Sequence, residues 1–553
     1  MSSPGRHLLG WTLEHGGGPA EAAPAWPDLS MGVFLAQPSR TGDGMSTLFT
    51  RFERAAEAWP TARAVVDVDS TTTYGDLLDR TRRLATGLLD HGVRRGQRAA
   101  FALPKQADTI ALMLAVNAVG ATFVPLDPTA PVRRRHAMLD AAKPQIFVRE
   151  NSLDLAAGGD TWPGPVVAIE DLISTGRTPS PDRTSNSTAY LLFTSGSTGL
   201  PKGVPISNRN VLAFVDWANA HFDVQPGDRH SAHAPLFFDL AMHDVFGSLS
   251  AGAEIHIAST EHDLLPATFV DVIADRGLTQ WFSVPSVLRA VAGYDGLAGR
   301  DLPNLRRVLW CGEVLSTPTV HYWMRHLPGR RFTNLYGPTE TTIASTYHDV
   351  LECPEPDAPP IPIGRPCAGE TATVVGPDGD PAPIGSIGEL HIGGVGLSDG
   401  YWQDPLRTDE AFVHTATERR YRTGDLARQD HDGVLHFEGR RDRQVKSRGH
   451  RIELDEIVAG LAMIDELDDV AVVALQSSGF DGTQIAATYV VNDEAEPLSP
   501  ARLRQMLRGH LPSYMIPSRW LPVDTIPTTA NGKIDHRAVA ELFEPSTRTE
   551  VAR

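Results

Sequence analysis

Helical and strand patterns alternate along the chain from Met45 onward, and this alternation restricts the possible fold more than any other feature of the sequence. "LFTRFERAAEAW" and "ADTIALMLAVNAVG" carry apolar residues at helical spacing, whereas "RAAFALP", "TFVPLD" and "QIFV" are short apolar strands. Strands without a polar face are typical of sheets that helices cover on both sides. The sequence therefore predicts an α/β fold of wound layers.

The length of the chain predicts more than one domain. A chain of 553 residues is too long to form one hydrophobic core. Residues 1–44 are rich in Gly, Pro and Ala and have no sustained periodicity, which predicts a flexible N-terminal extension. Residues 151–187 are rich in Pro, Ser and Asp, which predicts an irregular surface segment.

Charge and cysteine content argue against several classes of function. The formal net charge of −18 argues against nucleic acid or an anionic membrane as the main partner, because both need a positive surface. Cys311, Cys353 and Cys367 show neither a CxxC pattern nor a spacing shared with histidines, which argues against a zinc site and a disulfide framework. No signal peptide is evident and no apolar run approaches the ~20 residues of a membrane span, so we expect a cytoplasmic protein.

The strand "AYLLFTS" runs directly into a loop of small residues, "TSGSTGLPKGV". Backbone N–H groups and hydroxyls at the end of a strand suit phosphate oxygens. A flexible linker is the alternative, because Gly and Ser also form linkers. Pro201 stands where the usual P-loop has a glycine before its lysine, which argues against a kinase or GTPase of that type. The loop predicts a phosphate site that includes Lys202.

This loop and eight other motifs resemble the adenylate-forming enzymes, and in particular the amino-acid adenylation domains of nonribosomal peptide synthetases. In the family's order the motifs are "AVGATFVPLDP", "LLFTSGSTGLPKGV", "FFDLAMHDVFG", "NLYGPTETT", "GELHIGGVGLSDGYW", "YRTGDLAR", "GRRDRQVKSRGHRIELDEI", "LPSYMIPS" and "NGKID". The resemblance implies a large N-terminal domain over residues 45–441 with a β-barrel-like subdomain. It also implies a small mobile α+β lid over residues 442–545, a hinge at Asp442, and a tail over residues 546–553.

The resemblance implies a reaction in two steps. A substrate carboxylate first attacks the α-phosphorus of ATP, which releases pyrophosphate and leaves an acyl-adenylate; positioning and charge neutralisation suffice, without a protein nucleophile. The lid then rotates, and the acyl group passes to the phosphopantetheine thiol of a carrier protein through a tunnel near Gly449. Because no Gly-Gly-x-Ser segment follows Lys533, we expect the carrier to be a separate protein. The resemblance also allows for a small helper protein.

The resemblance assigns the ATP-binding and catalytic residues to particular motifs. Tyr336 would pack against adenine, and Asp425 would accept both ribose hydroxyls. Glu340 would hold Mg²⁺ with Thr339 near the α-phosphate, and Lys533 on the lid would bridge the substrate carboxylate and the α-phosphate. The nucleotide-binding set as a whole is Thr194, Ser195, Gly196, Ser197, Thr198, Gly199, Lys202, Tyr336, Asp425 and Arg440.

Asp239 in "FFDLAMHD" matches the aspartate with which amino-acid-activating members of the family bind the substrate's α-ammonium group. A buried carboxylate needs a cationic partner, although Asp239 could instead cap the helix that follows. The substrate pocket that the family pattern implies consists of Asp239, Leu240, His243, Ser283, Leu309, Cys311, Leu335, Ile343, Ala344 and Lys533. Because it offers no partner for a charged side chain, we expect a small to medium neutral amino acid, similar to cysteine or serine.

Two other functions stay open at the level of sequence. The first is an acyl- or aryl-CoA ligase of the same superfamily, against which Asp239 argues. The second is a non-catalytic nucleotide-binding protein, against which the presence of Lys202, Glu340 and Lys533 argues. The sequence also departs from common residues of the family at three positions. Asn208 stands where many members have histidine, whereas the departures at Asp399 and Ser447 leave lid and carrier contacts open.

Overall fold

The computed structural model of the chain describes residues 46–150, 162–174, 187–196, 201–258, 266–476, 482–492, 498–529 and 533–543. The predicted extension over residues 1–44 and the predicted tail over residues 546–553 lie outside these ranges. Within them, no helix is long and apolar enough to cross a membrane.

The strands of the described residues are, in chain order, β1 Arg63–Val66, β2 Thr71–Thr73, β3 Arg98–Ala102, β4 Thr122–Pro125, β5 Ile146–Arg149, β6 Val166–Ala168, β7 Thr188–Thr194, β8 Lys202–Ser207, β9 Arg229–Ala232, β10 Glu254–Ile257, β11 Gln280–Ser283, β12 Arg307–Cys311, β13 Arg331–Tyr336, β14 Thr346–Val350, β15 Arg365–Pro366, β16 Glu370–Val375, β17 Ile387–Gly394, β18 Phe412–His414, β19 Arg419–Gln429, β20 Leu435–Arg440, β21 Gln444–Ser447, β22 His450–Glu453, β23 Leu467–Gln476, β24 Thr483–Val491 and β25 Arg519–Pro522.

The helices are α1 Leu48–Ala58, α2 Tyr74–Asp90, α3 Ala107–Ala118, α4 Val132–Ala142, α5 Asn208–His221, α6 Leu240–Met242, α7 Ser248–Ala251, α8 Pro266–Asp275, α9 Pro285–Gly293, α10 Thr317–His326, α11 Pro405–Ala411, α12 Leu454–Leu461, α13 Pro500–Leu507 and α14 His536–Glu541. A π-helical turn, His243–Gly247, joins α6 to α7.

Two largely parallel sheets form the N-terminal part of the molecule. The first has nine strands in the order β15-β14-β13-β12-β11-β9-β10-β1-β2, and the second has six in the order β6-β5-β3-β4-β7-β8. Antiparallel pairs occur at the margins of both sheets, for example β1 with β2 and β7 with β8. The apolar strands pack with the helices into a continuous core, which confirms the predicted wound α/β layers.

A third, antiparallel sheet follows in the chain. Strands β16, β17, β19 and β18 are neighbours in that order, and β20 pairs with β19. This sheet stands where the sequence predicts a β-barrel-like subdomain. Its long strand β19 alternates buried and partly exposed residues, as expected for a sheet with one face on a core.

The C-terminal part is a smaller α+β unit, as predicted. It consists of the hairpin β21–β22 and the three-stranded sheet β23-β24-β25. Val470 and Val472 pack on one face of the sheet with α12 and α13, whereas Ala471 and Val473 pack on the other face with α14. The period-2 alternation of "DVAVVAL" therefore buries both faces of the edge strand β23.

One expectation about the fold is wrong in part. Residues 166–168, inside the segment predicted to be irregular, form the edge strand β6, which pairs in parallel with β5. The flanking residues 151–161 and 175–186 lie outside the described ranges.

Candidate active site

A cavity lies where loops at the ends of the large domain's strands face the hairpin β21–β22 of the lid. A crevice at the carboxyl ends of parallel strands is the usual ligand site of α/β sheets. The large domain lines it with Thr194, Ser195, Asp239, Leu240, Cys311, Thr339 and Asp425, among others, and the lid with Lys446, Gly449, His450, Arg451 and Tyr514.

Glu340 is fully buried and has several polar partners. Its carboxylate contacts the Arg451 guanidinium through both oxygens, at 2.9 and 3.1 Å, and the Lys202 ammonium at 3.2 Å. The Tyr401 hydroxyl donates a third contact, at 2.8 Å. Burial would raise the pKa of Glu340, but the two cations lower it well below its usual range. Glu340 is therefore an ionised, fully paired carboxylate.

Lys202 follows the predicted phosphate loop and lies among these groups. Its ammonium contacts the Tyr401 hydroxyl at 3.1 Å and lies 4.7 Å from the centre of the Tyr401 ring. Burial and the nearby Arg451 charge lower the pKa of Lys202 to about 8, although Glu340 acts in the opposite direction. In the same loop, the hydroxyl of Thr194 is buried and has no partner among the described residues. Ser197, Thr198 and Gly199 lie outside those residues, and Gly196 is buried beside them.

Asp425 is the residue predicted to contact the ribose. Its carboxylate lines the cavity and accepts hydrogen bonds from the Tyr336 hydroxyl and the Arg440 guanidinium. Arg440 also donates two bonds of 2.6 Å to Asp442, the predicted hinge. The three residues predicted for the nucleoside thus meet, with Tyr336 engaged through its hydroxyl, and Arg440 connects them to the hinge.

Asp239 lies in the cavity wall and accepts a hydrogen bond of 2.7 Å from the Thr339 hydroxyl. Burial raises the pKa of Asp239, and the Thr339 bond and the Lys446 charge offset part of that rise. Asp239 stands at the N-terminal cap position of α6 without a side-chain capping bond among the described residues, which argues against the alternative interpretation as a helix cap. A desolvated carboxylate that faces a cavity is suited to a cationic ligand.

The other predicted pocket residues of the large domain are buried, and two of them line the cavity. Leu240 and Cys311 line the cavity, and the Cys311 thiol approaches the carbonyl of Ile343 at 3.9 Å. Burial lowers the pKa of His243 to about 4, so its imidazole is neutral at pH 7. The Ser283 hydroxyl already contacts the His233 imidazole at 2.9 Å. The buried members of the set are Leu240, His243, Ser283, Leu309, Cys311, Leu335, Ile343 and Ala344.

The backbone that closes this pocket is strained. Thr342 and Ile343 have positive φ angles of 63° and 66°, a region that β-branched residues rarely adopt. The Thr342 hydroxyl holds the turn by donating a 2.6 Å bond to the carbonyl of Gly396. A neighbouring subdomain residue thus fixes the turn that carries part of the predicted pocket.

Lys533, the predicted catalytic lysine, does not line this cavity. It is exposed, in a turn where its carbonyl accepts a bond from the Thr529 N–H. The opposite face of the lid meets the large domain instead: the Gly449 N–H donates to Glu313, and the carbonyl of Arg451 accepts from the Ser195 hydroxyl at 2.7 Å. A buried ion pair between Arg134 and Glu456 adds a further contact.

Several residues of the site were absent from the predicted set. Arg451, Lys446 and His450 belong to the quoted motif "GRRDRQVKSRGHRIELDEI", and Tyr401 belongs to "GELHIGGVGLSDGYW". His450 is stacked on Tyr514 with ring centres 3.5 Å apart. The cluster of basic side chains around Gly449 is the sequence feature that could have indicated these residues. The sequence does not show which acidic group these side chains contact.

Comparisons with known proteins agree with this geometry. The family model of the AMP-binding enzymes matches residues 52–402, and the model of the AMP-binding enzyme C-terminal domain matches residues 456–533. The chain is 35% identical over 511 residues to the L-proline, L-prolyl-carrier protein ligase of Streptomyces coelicolor, covering 88% of this chain and 95% of the relative. It is 36% identical to a linear gramicidin synthase of Brevibacillus parabrevis, but there the match covers 88% of this chain and only 6% of the much longer relative.

Solved structures show the same fold. The amide bond synthetase McbA from Marinactinospora thermotolerans has a TM-score of 0.81 at 26% identity, over 90% of this chain and 100% of that chain. Holo-PA1221, a protein with adenylation and PCP domains, has a TM-score of 0.79 at 26% identity, over 91% of this chain and 85% of that chain. Since the first family model alone covers more than half of the residues, this chain belongs to the AMP-binding enzyme family.

Proposed function

We propose that this AMP-binding enzyme activates an amino acid as an aminoacyl-adenylate at the expense of ATP and then transfers it to the phosphopantetheine thiol of a carrier protein. The observation that carries the proposal is the position of Asp239, a desolvated carboxylate in the same cavity as the nucleotide-binding motifs. The ligase of Streptomyces coelicolor, whose name states a carrier-protein reaction, supports the second step.

The residues of the cavity divide into three groups by the chemistry they offer. Asp239 would pair with the α-ammonium group of the substrate. Thr194, Ser195 and Lys202 would neutralise and orient the triphosphate, while Asp425 would accept the ribose hydroxyls. No covalent intermediate with the protein is required, because alignment of the substrate carboxylate with the α-phosphorus supplies most of the catalysis.

The lid would supply different residues to the two steps. Lys533 would enter the cavity for adenylation, which requires a lid orientation other than the one observed, because Lys533 is exposed and outside the lining. The observed orientation places Gly449 at the cavity, so we assign this orientation to transfer. The hinge at Asp442 and the domain limits at residues 441 and 442 follow from this assignment as part of the proposal.

The pocket favours a neutral substrate side chain. Apart from Asp239, the predicted pocket residues of the large domain carry no charge, since the His243 imidazole is neutral at pH 7. A charged side chain would be desolvated there without a partner. We therefore propose a small to medium neutral amino acid, of cysteine-like or serine-like size. A separate carrier protein is part of the proposal, and a small helper protein is an additional candidate partner.

Mg²⁺ is the metal that the family implies, and Glu340 is the residue proposed to hold it. A single carboxylate together with substrate phosphates suits Mg²⁺ chemically. In the observed lid orientation, however, Arg451 and Lys202 already pair with both oxygens of Glu340, so a metal ion does not fit there. The proposed Mg²⁺ role of Glu340 therefore belongs to the other orientation.

Exchange of radioactive pyrophosphate into ATP over a panel of amino, aryl and fatty acids tests the proposal. We expect one neutral amino acid to support exchange, whereas exchange only with an acid that lacks an α-ammonium group would identify a CoA ligase. Asp239→Ala should reduce exchange with the amino acid at least about a hundredfold, because the ammonium group loses a desolvated charge partner. Undiminished exchange in this variant would overturn the assignment of Asp239.

A lysine substitution tests the first catalytic step separately. Lys533→Ala should reduce adenylate formation by about two to three orders of magnitude, because it removes a charge that stabilises the transition state. Binding of ATP, measured by equilibrium dialysis, should change little. Arg537→Ala, a charge removal at an exposed site on α14, is the matched control. Equal exchange in both variants would contradict the catalytic role of Lys533.

A further inference from the structure

The carboxylate of Glu340 has no capacity left for another cation in the observed structure. Its oxygens receive Arg451, Lys202 and Tyr401, and none of its surface is exposed. The two positive charges already exceed the single negative charge of the carboxylate. A divalent cation could bind Glu340 only if at least one of these partners withdrew.

Of the two cationic partners, Arg451 is the one that can withdraw. Lys202 is the first residue of β8 in the large domain, which pairs with β7 in the six-stranded sheet. Arg451 belongs to β22 on the lid and is paired with Lys446 in the hairpin register. Its contacts with Glu340 bridge 111 positions of the chain and join the two parts of the molecule. Rotation of the lid would therefore remove Arg451 and leave Lys202.

A second contact fixes Arg451 independently of its side chain. Its carbonyl accepts a 2.7 Å bond from the Ser195 hydroxyl in the phosphate loop. The side chain is 17% exposed, and its guanidinium also lies 3.5 Å from the Tyr421 hydroxyl. The backbone of Arg451 thus contacts Ser195 in the phosphate loop, while its guanidinium contacts the carboxylate of Glu340.

We propose that Arg451 is a lid-borne counter-cation for Glu340, which occupies the carboxylate in the observed orientation and excludes a divalent cation from it. This inference rests on the proposed function for the identity of the cation. Its consequence is that metal binding at Glu340 and docking of the hairpin β21–β22 exclude each other. The docked lid would also hinder rebinding of metal-bound pyrophosphate, because Arg451 and Ser195 are then engaged with each other and with Glu340.

Fluorescence energy transfer can measure lid docking without turnover. Cys353 on the large domain is exposed, Cys311 and Cys367 are buried, and Arg537 on the lid has a side chain that is 91% exposed. The variant Arg537→Cys therefore provides one labelling site on each part of the full-length chain. The probe is Mg²⁺ with pyrophosphate, added without amino acid.

We expect Mg²⁺ with pyrophosphate to decrease the docked population of the labelled protein. Arg451→Gln should decrease the ratio of docked to undocked lid about tenfold or more without any ligand, because it leaves a buried carboxylate with one cation fewer. Arg451→Lys, which keeps the charge, should retain more docking than Arg451→Gln. Arg448→Gln removes the same charge from an exposed position in the same hairpin. It should leave the ratio of docked to undocked lid close to that of the unsubstituted protein.

A double substitution distinguishes the ion pair from a general disturbance of the hairpin. In a Glu340→Gln background, Arg451→Gln should change the docking ratio less than about twofold, because its partner is already neutral. An undiminished effect in that background would overturn the proposal, as would equal docking in Arg451→Gln and Arg448→Gln. A docked population that does not respond to saturating Mg²⁺ with pyrophosphate would also overturn it. Failure of every amino acid in the exchange assay would instead contradict the proposed function and leave this measurement valid.

Discussion

Cys311 ends β12 and forms part of the wall of the proposed substrate pocket. Burial raises the pKa of its thiol to about 12, and the Asp239 charge contributes to the rise, whereas Lys446 opposes it. Cys367 is also buried, with its thiol pKa raised by burial and by Glu370, while Cys353 is exposed. Because the thiolate is the nucleophile, reactivity should differ strongly among the three residues.

Alkylation with iodoacetamide tests this difference. Between pH 7 and pH 9 we expect native protein to react at Cys353 only, since a thiol with a pKa of about 12 stays protonated throughout that range. Mass spectrometry of tryptic peptides measures the extent of modification at each cysteine, and denatured protein provides the control in which all three react. Rapid modification of Cys311 in the folded protein would contradict the closed pocket wall.

The sequence identified individual candidate residues of the site, but it did not predict all of the side chains that these residues contact. The prediction that Asp425 and Arg440 belong together is supported by their hydrogen bond, because both lie in motifs with a fixed place in the chain. The contact of Glu340 with Arg451 could not be predicted, because no local spacing connects residues 111 positions apart. Tertiary packing alone decides which basic side chain reaches a buried acid.

Asn208 shows how one side chain connects several elements. It is the first residue of α5 and is buried, and its amide oxygen accepts bonds of 2.9 Å from the Leu48 N–H and the Asn117 amide. Its amide nitrogen donates to the carbonyl of Ser187 before β7. The side chain that departs from the common histidine of the family therefore joins α1, α3 and β7 to α5.

Removal of this amide should destabilise the large domain. Asn208→Ala leaves buried N–H and amide groups without partners, so we expect the free energy of unfolding to decrease by about 1–3 kcal/mol. Arg209→Ala, at the exposed neighbouring position, should change it by less than about 0.5 kcal/mol. Urea unfolding followed by tryptophan fluorescence measures both. Equal stability of the two variants would show that water replaces the lost contacts.

The elements themselves were predictable where the periodicity was clear. The patterns of "TYGDLLDRTRRLATGLLDHGV" and "QIAATYVV" correspond to α2 and β24. The strand β6 was not predicted because three residues in a Pro- and Ser-rich segment give too short a pattern. Its hydrogen bonds to β5, and not its own strand propensity, stabilise it as a strand. The hairpin β21–β22 was quoted as a motif, but its docking on the large domain depends on contacts outside the hairpin.

Gly449 lies at a close contact between the lid and the large domain. Its φ angle is 77°, and a Cβ atom added there would lie 2.7 Å from a methyl carbon of Val284. A residue other than glycine is strained in this backbone region by roughly 1–2 kcal/mol, before any steric overlap is counted. The observed lid orientation brings this glycine against Val284, so under the proposed lid rotation the restriction applies to one step of the reaction.

Gly449→Ala should therefore separate the two proposed steps. We expect amino-acid-dependent pyrophosphate exchange to stay within about twofold, whereas transfer to a phosphopantetheine carrier should decrease about tenfold or more, since each 1.4 kcal/mol is a factor of ten. Gly449→Ala combined with Val284→Ala removes the methyl group in the way and should recover part of the transfer. Equal losses in exchange and transfer would contradict the assignment of this orientation to the second step.

For the whole molecule, the order of domains was predictable from the motifs, but the orientation of the lid was not. The sequence places Lys533 and Gly449 on the same lid, and both are compatible with contact to the cavity. The observed lid orientation depends on contacts between residues far apart in the chain. Examples are the buried ion pair of Arg134 with Glu456 and the hydrogen bond from the Gly449 N–H to Glu313. Each of these joins surfaces that are complementary only after both parts have folded.

The guanidinium of Arg440 donates hydrogen bonds to two carboxylates, that of Asp425 in the cavity and that of Asp442 at the predicted hinge. A ribose bound to Asp425, as proposed, would compete with the guanidinium for the same oxygens, so an arriving nucleotide would redistribute the bonds of Arg440. The resistance of residue 442 to backbone rotation would then vary with occupancy of the cavity. One arginine would thereby make the stiffness of the proposed hinge depend on bound nucleotide.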